Sequence, residues 1–136
     1  VVLTWHADEG HQNDNALRFF YGFQAALLHR QSYFKETYNV VPEFKAGVHE
    51  GLVSVAEVGE ISTQIAYHGD VVNTTARIQE LCNYYETNLL LSQKFIDKME
   101  AFPVNLQKNA AEILLRGRVQ PVTLYTLDES AVSKMA

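Results

Sequence analysis

An α+β sandwich, with a mostly antiparallel sheet and helices on one side, is the fold class that this sequence predicts, and three observations predict it. Phe44, Ala46 and Val48 alternate with Lys45, Gly47 and His49, the two-residue period of a strand with one face inward. Ala16, Leu17, Phe20, Phe23, Leu27, Leu28 and Phe34 recur near helical period over a long stretch. The chain then passes through further short apolar segments and a second helical stretch before closing on a pair of strands.

Taken in order, residues 1–5 (Val-Val-Leu-Thr-Trp) read as a buried strand, and the polar run 6–13 reads as an exposed loop. His6, Asp8 and His11 in that run are conceivable metal ligands, but the composition is that of a solvated loop and no second ligand pair has the spacing of a known site. Asn13 or Asp14 is placed to cap a helix running to Tyr38, which Asn39 and Pro42 end. Its aromatic residues read as core packing. After the strand at 44–48, Glu50-Gly51 predicts a tight turn into a second strand at 52–58, hence a β-hairpin. Gly47 and Gly51 would admit a ligand or a second backbone, or serve a bulge or turn. His49 reads as a strand-surface or interface histidine, since no nucleophile is placed for it. Residues 57–63 read as a loop or strand end and 64–67 as a strand. Residues 88–91 form a short apolar strand that Ser92 ends by capping a helix to Met99. Residues 106–111 are polar and expected to be exposed, 112–115 and 123–127 pair as the last strands, and 130–136 form a frayed tail.

Length and composition set bounds. The chain has 136 residues, 47% hydrophobic and 20% charged, which fits one globular domain over 1–129 with a tail at 130–136. A net charge of −5 argues against a general nucleic-acid binder, which needs a basic face. The single cysteine, Cys82, excludes an internal disulfide framework, reads as a packed thiol and fits a cytoplasmic setting. No apolar run approaches the ~20 residues of a membrane span, so a membrane would be reached only through other domains. The chain begins at Val1, without methionine and inside a strand-like stretch, and reads as a fragment.

The stretch that organises the rest is Tyr67-His68-Gly69-Asp70-Val71-Val72-Asn73-Thr74-Thr75-Ala76-Arg77-Ile78-Gln79-Glu80, where strand periodicity changes to helical periodicity at a glycine. Gly69 reads as the turn and Asp70 as the N-cap. Val72, Ala76, Ile78, Leu81 and Cys82 make an apolar face and leave Asn73 and Arg77 four apart on a neighbouring one. An amide and a guanidinium stacked near a positive helix end suit a ligand with phosphate and hydroxyl groups. The same spacing also suits a surface pair between Arg77 and Glu80.

The segment Gly69-Asp70-Val71-Val72-Asn73-Thr74-Thr75-Ala76-Arg77-Ile78 resembles the G-D-x-V-N-x-A-A-R-L signature of class III nucleotidyl cyclases, the adenylate and guanylate cyclase catalytic domain. Phe44-Lys45-Ala46-Gly47-Val48-His49-Glu50-Gly51 resembles the family's FRAGIHTG strand and turn. Leu115-Arg116-Gly117 with residues 122–127 resembles its closing segment. Three motifs in the family's order span most of the chain. Residues 1–5 fit the strand that follows the family's metal-binding hairpin.

The resemblance implies a ferredoxin-like nucleotidyl cyclase fold, a head-to-tail homodimer with shared active sites, and conversion of ATP or GTP to a 3′,5′-cyclic nucleotide and pyrophosphate in intracellular signalling. One domain supplies two aspartates for two Mg or Mn ions; its partner supplies an asparagine, an arginine and a phosphate-binding lysine. Asn73 matches the asparagine that orients the ribose, Arg77 the arginine that stabilises the transition state, and Arg116 stands where the lysine usually does, with a structural salt bridge as its alternative.

Two departures qualify the match. Ala66 occupies the position that usually reads the purine edge and offers no side-chain donor or acceptor, which leaves His68 or backbone groups around Gly69 for that task. The first strand and the metal-ligand aspartates would lie before Val1, so no metal ligand is expected in this chain. It would donate the arginine half of a site, and without a central strand the fragment is expected to be poorly stable or to self-associate. Two other classes compete: a cyclase-homology module that has lost catalysis and serves regulation or dimerisation, and an unrelated ferredoxin-like binding domain.

Overall fold

Strand β4 (Leu89–Ser92) is the one from which the sheet is built, because all four of its residues are buried. A continuous apolar run of this kind belongs to a strand covered on both faces. The computed structural model describes residues 1–52, 54–58, 64–99 and 106–127, with backbone alone at Asn13, 54–58, 64–68 and Leu127. Strand β1 (Ala46–Val48) pairs parallel to β4, with Gly47 opposite Leu90. On the other side β6 (Arg118–Leu127) runs antiparallel to β4, and β5 (Leu106–Leu115) antiparallel to β6, giving the order β1-β4-β6-β5. Strands β2 (Ser54–Val58) and β3 (Gln64–His68) make a separate antiparallel pair. The result is a mixed α+β fold with an open, mostly antiparallel four-stranded sheet, compatible with a ferredoxin-like core.

Helices cover both faces of this sheet, not one. Leu89 and Leu91 join Ala16, Leu17, Phe20 and Tyr21 of helix α2 (Asn15–His29) and Phe95 of helix α5 (Gln93–Asp97). Leu90 joins Leu124 with Ile78 of helix α4 (Asp70–Glu80) and Cys82 just beyond it. Successive strand residues point to opposite faces, so the Leu89-Leu90-Leu91 run demands cover on each. Cys82 is buried and free, its thiol pushed up to about 11 by burial. This is the packed thiol that the sequence predicts.

The glycine of β1 lets α4 approach. A Cβ on Gly47 would stand 2.8 Å from the Gln79 amide nitrogen and 3.0 Å from the Thr75 carbonyl oxygen, and one on Gly51 2.6 Å from Val71 Cγ2. Both glycines therefore admit a second backbone element, which is α4.

Several local expectations are corrected. Residues 1–5 are exposed and form no strand: strands persist by ladder pairing, and no neighbour among the described residues pairs with this stretch. The polar run after it forms helix α1 (Ala7–His11) and a 3₁₀ turn (Gln12–Asp14) in place of a loop. Acidic Asp8 and Glu9 in the first turn of α1 favour that end of a helix, and His11 is tied to Glu50. The long helix breaks at Arg30, whose backbone leaves helical values, into α2 and helix α3 (Gln31–Tyr38). Asp14 is left-handed and makes no side-chain cap; Asn15 Nδ2 donates to the Glu9 carbonyl instead. Phe23 and Leu28 are exposed, since the buried face of α2 is the narrower Ala16, Leu17, Phe20, Tyr21 set. Asn39, at φ 57°, ends α3 as its turn chemistry predicts.

The hairpin predicted between β1 and the next strand does not form. The long-range Leu-rich partner β4 takes the edge of β1, and the hairpin is β2 with β3. Residues 106–111 are the first half of β5, where Gln107 and Lys108 are exposed on opposite faces and disguise the strand as a polar loop. Ser92 caps α5 as expected, its Oγ accepting from the Phe95 amide. The predicted tail at 130–136 lies outside the described residues. Among the described residues no helix is long and apolar enough to cross a membrane.

A polar seam beside α5 makes stability depend on acidity. His49 Nδ1 is hydrogen-bonded to Ser92 Oγ at 2.7 Å, and burial, aided by Lys94, holds its pKa below the ordinary 6.5. Partial burial raises the Glu50 carboxyl, but hydrogen bonds from Lys98 Nζ at 2.6 Å and from His11 more than offset this and hold it below 4.5. In both cases the unfolded chain binds the proton more readily, so stability is complete above the unfolded pKa and falls with pH. Thermal melts should lose midpoint as pH drops from about 7 to about 5.5, and His49→Gln should flatten that dependence. A wild-type midpoint that stays constant over this range would contradict the assignment.

Candidate functional site

Helix α4 starts abruptly because Gly69 adopts φ 117°, ψ −178°, a conformation open essentially to glycine alone. Gly69 is itself the N-cap residue, and Asp70, expected to cap, is the first helical residue and makes no cap hydrogen bond. Its carboxylate is used elsewhere. The Asn73 amide donates to the Gly69 carbonyl at 3.3 Å and closes the first turn.

The register of α4 is set by its contact with β1. Val71 meets Gly51, Thr75 and Gln79 meet Gly47, and Ile78 and Cys82 are buried, a line of residues at helical spacing. Ala76, expected on the apolar face, is therefore exposed, while Val72 and Leu81 are half-buried. Asn73 and Arg77 lie exposed, one turn apart, with Cβ atoms about 5–6 Å from each other by helix geometry. Arg77 Nη1 donates to both carboxylate oxygens of Glu80 at 3.1 Å, the surface pair that the spacing allowed.

The other cation arrives from the far end of the chain. Leu115 and Arg118 are opposed in the β5–β6 register, so Arg116-Gly117 is a two-residue turn, with φ 52° and 73°. Positive φ at both central positions is the type I′ requirement, which glycine meets freely and arginine meets at a cost of roughly 1–2 kcal/mol. This strained arginine forms an ion pair with Asp70, its Nε lying 2.7 Å from Oδ1. The hairpin tip thus sits against the first residue of α4, and the contact leaves the terminal Nη donors for another acceptor.

The fold brings Gly69, Asp70, Asn73 and Arg116 to one end of α4, with Arg77 a turn further along. Ala66 and His68 belong to β3, opposite Ala56 and Ser54, and lead directly into Gly69; their side chains lie outside the described residues. Asp70 is the site residue that sequence reasoning missed as an ion-pair partner. Its pairing is tertiary, and the available signal was an arginine at a hairpin tip with no partner on its own strands.

His11 does not join His6 and Asp8 in a metal site; it pairs with Glu50 and stacks on Phe95 at 4.8 Å. Among the described residues no three His, Cys, Asp or Glu side chains are grouped to hold a metal ion. These residues do not by themselves fit an Mg or Mn centre; the site they form holds two arginines, each paired with a carboxylate, and one amide.

The two site arginines are separable from stability. Arg116→Asn places at the turn a residue that accepts positive φ readily, so the hairpin should gain about 0.5–1 kcal/mol while the cation is lost. A raised denaturation midpoint is the expected result, read by chemical denaturation.

No protein-family model matches the chain. Over 133 residues, 98% of its length, the chain is 26% identical to adenylate cyclase 2 of Rhizobium meliloti (strain 1021), and it spans 37% of that protein's length. The similarity supports a distant relationship to a cyclase.

Proposed function

We propose that this chain is the arginine-bearing part of a class III nucleotidyl cyclase catalytic domain, whose parent converts a nucleoside triphosphate to a 3′,5′-cyclic nucleotide and pyrophosphate in intracellular signalling. The observation that carries the reading is the meeting of the Arg116 hairpin tip with the start of the helix that bears Asn73 and Arg77. All three motifs of the resemblance touch α4, the 44–51 segment through Gly47 and Gly51 and the hairpin tip through Asp70. The name of the 26% identical relative favours ATP over GTP.

In this reading Asn73 orients the ribose, Arg116 binds the β- and γ-phosphate oxygens, and Arg77 stabilises charge on the α-phosphate as the ribose 3′-oxygen attacks it. Negative charge grows on phosphate oxygens along this path, and a guanidinium held nearby stabilises it. Both arginines are paired with exposed carboxylates, Glu80 and Asp70, and exposed pairs are worth only about 0–1 kcal/mol. A triphosphate can therefore displace them. Two Mg or Mn ions would be held by carboxylates of a head-to-tail partner subunit, as the resemblance implies.

A second reading, a catalytically silent cyclase-homology module for regulation or dimerisation, is favoured by Ala66 at the purine-reading position. Complementation separates the two. The parent protein carrying Arg77→Ala is mixed with a version lacking the metal aspartates, and cyclic nucleotide is measured from ATP and from GTP. Activity in the mixture and in neither component alone supports the shared site; an active wild type with a silent mixture overturns it.

A further inference from the structure

Strand β5 is ten residues long and lies at the outer edge of the sheet, with β6 on one side and no strand on the other among the described residues. An edge of this length is a template for another strand unless its sequence prevents pairing. Leu106, Lys108, Ala110, Glu112 and Leu114 alternate along one face of it, the face opposite Ala111 and the buried Ile113 and Leu115. Lys108, Ala110 and Glu112 are exposed, and Leu114 is 54% exposed beside its cross-strand neighbour Val119, itself 64% exposed. An exposed leucine on the edge strand is what an incoming strand would partly cover.

The face is self-complementary. Antiparallel pairing with β5 of a second copy, centred on Ala110, sets Lys108 opposite Glu112 of the second copy and Glu112 opposite its Lys108. The same register sets Leu106 opposite Leu114 in both directions and Ala110 against itself on the twofold axis. Opposite charges and apolar pairs directly across a ladder stabilise it, and like charges there destabilise it. A register shifted by one step in either direction loses these matches, so the pattern specifies one closed dimer and not an open stack.

We propose that β5 is a self-pairing edge, through which two copies of this chain join their sheets about Ala110. One existing bond is exchanged: the Tyr85 hydroxyl donates to the Ala110 carbonyl at 3.1 Å, and a ladder N–H from the second copy takes its place. The inference does not rest on the cyclase reading, because no residue it uses is assigned to nucleotide.

Self-association of the intact protein by sedimentation, with charge-reversal variants, tests it. Lys108→Glu and Glu112→Lys each set like charges across both symmetric contacts and should weaken association through this edge about tenfold or more. The double variant restores both pairs and should recover it, and mixing the two single variants should give a heterodimer. In a separate readout, Ala110→Cys should cross-link to a dimer with a short thiol-reactive linker, against a low background because Cys82 is buried. Tyr85→Phe, which removes the competing donor, should strengthen association. Equal association in all charge variants, or failure of the double variant to recover, overturns the proposal, as does an Ala110→Cys protein that stays monomeric on gels after linker treatment. None of these results bears on nucleotide turnover.

Discussion

Arg77→Ala in the intact protein should lower cyclic-nucleotide formation about 100-fold or more, with little change in stability. The two halves of that expectation have different causes. In the folded chain Arg77 touches Glu80 alone among the contacts described for it, and both side chains are about half exposed. Removing such a pair changes stability by no more than about 1 kcal/mol. In the proposed reaction the same guanidinium faces charge that exists fully only in the transition state, so its loss falls on kcat and leaves KM nearly unchanged. Arg77→Lys keeps the charge but loses the planar fork, and should recover only part of the rate. Steady-state kinetics on variants of matched thermal midpoint make the measurement. Unchanged kcat in the alanine variant would end the assignment of Arg77.

Gly47→Ala has the largest expected effect on the fold. The added methyl would overlap the Gln79 nitrogen at 2.8 Å and the Thr75 carbonyl at 3.0 Å, and these are backbone atoms of α4 that no rotamer change can move. The helix must lift from β1. Overpacking of this kind costs about 1–3 kcal/mol, and the absence of a flexible neighbour puts this position at the upper end. Chemical denaturation should show the loss as a lower midpoint with an unchanged slope. The lifted helix also carries Asn73 and Arg77 away from Arg116, so any activity should fall further than stability alone would dictate. Wild-type stability in Gly47→Ala would mean that α4 does not pack on β1 as described.

Much of the site was legible in the sequence because it depends on short-range chemistry. The change of period at Gly69, the i, i+4 relation of Asn73 and Arg77 and the Ser92 cap each follow from residues within a turn of one another. What failed was long-range. Glu50-Gly51 has the composition of a hairpin turn, yet β1 found its partner in β4, because three consecutive leucines bury more apolar surface than a local return could. The apolar face of α4 was misplaced at Ala76 for the same reason: helical period gives the face, but the contact at Gly47 fixes its rotation. The Asp70–Arg116 pair joins residues from elements distant in sequence, and no local pattern announces it. Gln107, Lys108 and Asn109 hid the first half of a strand, since an edge strand carries polar residues that a central one does not.

The position of Arg116 at a hairpin tip also determines when the site becomes complete. Helix α4 precedes β5 and β6 in the chain, and β6 must insert between β4 and β5 before the turn can reach Asp70. A nascent chain in which α4 has already folded still lacks Arg116 beside Asp70. In the proposed reaction, competence therefore arrives only once β6 has closed the sheet between β4 and β5.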